Sequence, residues 1–117
     1  MADVTVLTQG CEEWIVDLMA AVTHYGTWGT GAGTAAKSDT TMFTEGSEAR
    51  VSTTITQPVA DKIQHVWLMT ADAGKTITEA GIFSAATSGT IYYHASFTGI
   101  VLSSGDKIEF TLQNEVT

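Results

Sequence analysis

Between Lys107 and Gln113 the residues Ile108, Phe110 and Leu112 alternate with Lys107, Glu109, Thr111 and Gln113. A period of two puts one set on a covered face and the other in water, the signature of a half-buried strand. Two further runs lead up to it, Thr76–Phe83 and Thr90–Phe97, each rich in β-branched and aromatic residues and separated by small turn formers. Consecutive runs of this kind predict neighbouring strands of an antiparallel sheet, with Ser103-Ser104-Gly105-Asp106 as the last turn. The chain is therefore constrained first by strand pairing, and everything upstream has to fit beside that unit.

Upstream, Asp3–Thr8 alternates well enough for a short strand, either docked on its own sheet or free to add to a neighbour's. Residues 11–22 predict one amphipathic helix. Trp14, Ile15, Leu18, Met19 and Val22 recur at three- and four-residue spacing, Glu12 and Glu13 suit the positive end of the helix dipole, and Gly26 lies past its end. The stripe is read as core against a sheet. Tyr25–Trp28 suits a strand, and Arg50–Thr56 another that ends near the sole proline, Pro58. Ile63–Thr70 is the most apolar run and predicts a central strand. The expected fold is mainly β: a single-domain antiparallel β-sandwich or jelly-roll-like barrel with about seven strands and one N-terminal amphipathic helix over residues 11–22.

With 117 residues the chain suffices for one domain that buries roughly two thirds of its unfolded surface. A single cysteine, Cys11, permits no internal disulfide and reads as a small buried hydrophobe. Thirteen acids against five bases give a formal charge of −8, which repels nucleic-acid phosphate, and Arg50 is the only arginine. No run of 18 apolar residues is present, so no membrane partner is expected, and residues 1–20 lack a signal-peptide pattern because Glu12, Glu13 and Asp17 interrupt it.

Reaction motifs are not visible. Gly29-Thr30-Gly31-Ala32-Gly33 is not followed by a helix start or a Gly-Lys-Ser/Thr, so it does not match a nucleotide cradle. His24, His65 and His94 fall on separate strands without ligand spacing, and no serine sits in a Gly-x-Ser-x-Gly elbow. No cofactor, metal or catalytic residue is expected. Arg50 is expected to form a structural ion pair with Glu79 or Glu48. Adjacent Tyr92 and Tyr93 must point to opposite faces of a strand. Together with Val4, Val6, Trp28 and Gly31 they are the candidate subunit or partner contacts.

Four segments carry a resemblance: Gly26–Gly31, Phe43-Thr44-Glu45 with Glu48-Ala49-Arg50, Ile77–Ala85, and Ser103–Phe110. Together they resemble a group of small structural proteins of tailed bacteriophages over roughly residues 24–112, most specifically at 77–85 and 103–110. The resemblance implies a β-rich virion component without enzymatic activity that self-associates, commonly as a trimer. It would be made in the host cytoplasm and act on the outer capsid surface as a decoration (cement) protein bound to the major capsid protein. A tail or fibre component involved in host attachment is the alternative, and a small carbohydrate-binding module is a third reading from a different class.

Overall fold

A computed structural model describes residues 5–115. The elements are α1 (Gln9–Ala20), β1 (Tyr25–Gly29), β2 (Val51–Ser52), β3 (Thr54–Thr56), β4 (Lys62–Thr70), β5 (Lys75–Phe83), β6 (Ile91–Leu102) and β7 (Lys107–Glu115). The seven strands form two sheets, ordered β2-β1-β5-β6 and β3-β4-β7, and every pairing is antiparallel. The mainly-β, single-helix architecture expected from the sequence is thus present, and β4 is the central strand of the smaller sheet.

The core lies between the sheets. Trp28 from β1 and Ile77, Ala80 and Ile82 from β5 meet Trp67 and Met69 from β4. Inward positions of β4 alternate strictly, with Ile63, His65, Trp67 and Met69 buried. Gly26 has no side chain because the Trp67 indole occupies the space a Cβ would need. On β7, Ile108, Phe110 and Leu112 do face inward but stay half-buried, since β7 is an edge strand with a neighbour on one side only.

The single strand expected over Arg50–Thr56 is divided. β2 belongs to the larger sheet and β3 to the smaller, and Thr53 is the corner between them. Both its amide (2.8 Å) and its hydroxyl (3.0 Å) donate to the His24 carbonyl, so the change of sheets is tied to the residue before β1.

The helix begins and ends two residues earlier than the 11–22 expected. Thr8 is its cap: the Thr8 side-chain oxygen accepts from the Cys11 amide at 3.3 Å, and the helix closes at Ala21 rather than near Gly26. The expected burial of its stripe is also corrected. Only Val16 is fully covered, while Trp14, Leu18 and Val22 are 60%, 50% and 54% exposed. Apolar residues span too wide an arc for one contact with the sheet, so Ile15, Val16 and Met19 turn inward and the Trp14–Leu18–Val22 flank is left facing out. Cys11 is half-buried rather than buried. Residues 5–8 form no strand and are exposed; Val4 lies outside the described residues.

Candidate functional site

The most connected polar site lies on the outer face of the larger sheet. β5 and β6 change register between Ile77 and Glu79, so Ile77 enters the core while Glu79 turns to the opposite face. There Glu79, with no exposed surface, meets the long loop that joins β1 to β2. Its Oε2 accepts from the amides of Gly31 (2.9 Å) and Thr44 (2.8 Å), and its Oε1 from the amide of Phe43 (2.9 Å). His94 on β6 places Nε2 2.7 Å from the same Oε1, and its Nδ1 lies 2.7 Å from Asp39 Oδ2. Asp39 in turn accepts from the Ala36 amide at 2.8 Å, and Thr78 donates to the Gly31 carbonyl at 2.5 Å.

Burial alone would push the Glu79 carboxyl up. The Thr44 amide, His94, and the Phe43 and Gly31 amides outweigh it and hold the group below the usual carboxylate range. Asp39 is likewise held down, first by the Ala36 amide and then by His94. Both ring nitrogens of His94 lie against carboxylate oxygens. All four acceptor positions of Glu79 are taken, and so are both nitrogens of His94. The cluster clasps the 30–45 loop to the sheet and leaves no lone pair for a substrate.

A second buried site lies on the inward side of β4. His24, just before β1, and His65 on β4 are both buried, with His24 Nδ1 2.8 Å from His65 Nε2. Burial, and secondarily the neighbouring His24, pushes His65 down to about 4; burial also lowers His24. Two imidazolium rings would face each other N–H to N–H at this distance, so the pair shares one proton between its facing nitrogens. Among the described residues His65 Nδ1 has no hydrogen-bond partner, and burial raises the Tyr93 phenol. Beside the pair, Leu18, Met19, Val22, His24 and Tyr92 line an apolar cleft of about 320 Å³.

The ion pairs differ from those expected. Arg50 pairs with Glu45, not with Glu79 or Glu48: Nε and Nη2 reach the two Glu45 oxygens at 2.8 and 2.9 Å. Its Nη1 donates to the carbonyls of Ala85 and Ser88, and the guanidinium lies 3.6 Å above the Phe83 ring. Glu45 is nearer because the Glu45–Arg50 segment folds back as a corner, whereas Glu79 is enclosed by loop amides. Glu48 instead bonds Lys75, the Asp72 amide (3.1 Å) and Trp28 Nε1 (2.7 Å). Burial acts to raise the Glu48 carboxyl, but Lys75, Trp28 and the Asp72 amide bring it lower.

The expected contact residues are scattered. Val6 is 72% exposed and Tyr92 45% exposed. Trp28 has no exposed surface, so it is a core residue and not a contact. Gly31 is buried in the clasp, where a Cβ would collide with Phe43, the Thr44 amide and Glu79. Tyr93 packs against the core, whereas Tyr92, at the register irregularity opposite Ile82 and Phe83, lies edge-on against the His24 ring at 4.9 Å, so simple alternation does not hold there. Sequence reasoning did not find the Asp39–His94–Glu79 relay. The one available signal was an acid inside the apolar run Ile77–Phe83, and its partners lie 15 to 48 positions away.

Among the described residues no group of three or more His, Cys, Asp or Glu side chains is arranged to hold a metal ion, and no helix is long and apolar enough to cross a membrane. Neither family models, curated proteins nor solved structures give a match to this chain.

Proposed function

We propose that this chain is a structural component of a tailed-phage particle, a decoration protein that self-associates and stabilises the outer shell by many weak contacts. The observation that carries this reading is the outward flank of α1. Trp14 and Leu18 stand one turn apart on α1, and Val22 just past its end and Val6 and Leu7 before it extend the exposed apolar surface. A large aromatic with two aliphatic neighbours in water is a contact surface in search of a partner. The resemblance to phage structural proteins supplies the class of particle and implies self-association, commonly as a trimer; a trimer on a threefold position would add weak contacts into strong binding by multivalency.

The α1 flank is assigned to the shell protein rather than to another copy, on grounds of charge. Glu12, Glu13 and Asp17 lie on the same helix, so its best partner is an apolar groove rimmed by basic residues. A second copy has little to offer: of the five bases, Arg50 and Lys75 are enclosed in internal ion pairs and Lys62 lies against Glu115. Binding to the assembled shell and not to its separated subunits then stabilises the lattice by mass action.

Localisation in an electron-microscopy map of whole particles tests this. Hundreds of copies on the head support the reading. A handful at the tail replaces it with host attachment, and absence from particles overturns it. Trp14→Glu is expected to abolish co-sedimentation with particles while leaving the fold intact.

A further inference from the structure

The two sheets present four edges, and these are not equivalent. β2 and β3, which form one side of the sandwich, are two and three residues long. β6 and β7 form the other side, with 12 and nine residues. They are joined by the short Ser103–Asp106 turn and packed together through Phe97 and Phe110. Short edges protect themselves; long ones need charge, proline or a cover. From Ile91 to Leu102 there is no Asp, Glu, Lys, Arg or Pro. Among the described residues, no backbone–backbone hydrogen bond from outside the β5–β6 and β4–β7 ladders reaches either strand; the β1–β2 loop bonds β6 through side chains, the Ala35 amide to Ser96 Oγ at 3.0 Å and Asp39 to His94 at 2.7 Å.

The core is also unfinished on this side. Five hydrophobic side chains that pack against it remain only partly buried, namely Tyr93, Phe97, Ile108, Phe110 and Leu112, and all five belong to β6 or β7. On β6 the exposure continues through Ile100 (41%) and Val101 (80%).

We infer that this open side is the contact between copies of the chain, with β6 of one copy adding to β7 of the next. Within a copy the two strands run in opposite directions. Rotation about an axis parallel to them therefore brings β6 against the neighbour's β7 as an antiparallel pair, like every pairing already in the fold. Because both edges lie on one side, rotation about such an axis uses up β6 and β7 of every copy, so the assembly closes instead of running on as a fibre. Charge permits the same pairing. With a net charge of −8, copies repel unless they meet where acids are missing, and β6 brings none to meet Lys107, Glu109 and Glu115 of β7. The larger sheet of each copy then continues into the smaller sheet of the next, and the half-buried aromatics become core. The inference builds on the self-association in the reading above, but it is tested without particles, so the two can fail separately.

The test is the solution mass of the full chain by light scattering, with amide exchange on the same samples. Wild type is expected to be a closed oligomer whose β6 and β7 amides exchange slowly on both sides of each strand. Thr98→Lys with Val101→Lys alters two exposed side chains of β6. It is expected to weaken assembly by roughly tenfold or more, free the outward β6 and β7 amides, and leave the circular dichroism of the monomer unchanged. Trp14→Glu is expected to leave the mass as in wild type. A monomeric wild type overturns the inference. So does an oligomer that survives the double lysine variant with its β6 protection intact, or one that Trp14→Glu dissociates.

Discussion

Glu79 and His94 meet across neighbouring strands with Oε1 and Nε2 2.7 Å apart, and together they hold a loop that neither belongs to. Glu79 satisfies three loop amides directly, and His94 passes the connection on to Asp39. The long β1–β2 connection is thereby fixed on the outer face of the larger sheet without regular structure of its own. Met42 and Phe43 are carried with it, Met42 over Gly81 and Phe43 against the His94 ring at 4.7 Å.

Glu79→Gln is the direct check on this clasp. The amide keeps one acceptor oxygen but turns an NH₂ toward groups that are themselves donors, so at least one loop amide is left buried and unpaired. The expected loss is about 3 kcal/mol in urea unfolding. The amides of Gly31, Phe43 and Thr44 should exchange faster even where the rest of the sheet stays protected.

Arg50→Lys should not be conservative. Lysine can reach Glu45, but it cannot hold both Glu45 oxygens and the Ala85 and Ser88 carbonyls while covering Phe83. A loss of about 2 kcal/mol is expected, with the β5–β6 connection around Ser88 becoming protease-sensitive. A variant with wild-type stability would show the Arg50 network to be ornamental.

The buried histidine pair predicts a specific acid response. Unfolded His65 takes up a proton below its ordinary value of 6.5, whereas folded His65 does so only at about 4. Stability is therefore complete above 6.5, falls as the pH drops from 6.5 toward 4, and levels off below; the span is about 3 kcal/mol. His65→Gln, neutral throughout, should flatten most of that slope. Glu79, held low, contributes stability above the usual carboxylate range and loses it at lower pH still, so Glu79→Gln should remove only the more acidic part of the curve.

Gly26→Ala tests the closest approach in the core. The added methyl enters the space of the Trp67 indole, which is boxed in by Phe110 at 5.1 Å between ring centroids. An overpacking loss of about 2 kcal/mol is expected, with a changed near-ultraviolet tryptophan signal. Gly105→Ala, by contrast, meets no neighbouring atom and tests only the left-handed backbone there, where φ is 90°.

Local pattern in the sequence determined β1 and the long strands β4 to β7, their order of appearance, the central place of β4 and the existence of one helix. Each of these follows from spacing within a dozen residues, because periodicity of two or 3.6 is a property of the chain segment itself. Tertiary structure alone decided which apolar surfaces are covered. Trp28, expected as a contact, is enclosed because Glu48 and the facing sheet close over it. Trp14, expected in the core, faces out because one flank of a short helix is all that the sheet can take. The same holds for charge: Glu79 and Glu48 could each be assigned to Arg50 on paper, but their partners were set by a register shift in β5 and by a corner at Glu45, and no spacing along the chain encodes where separated segments converge.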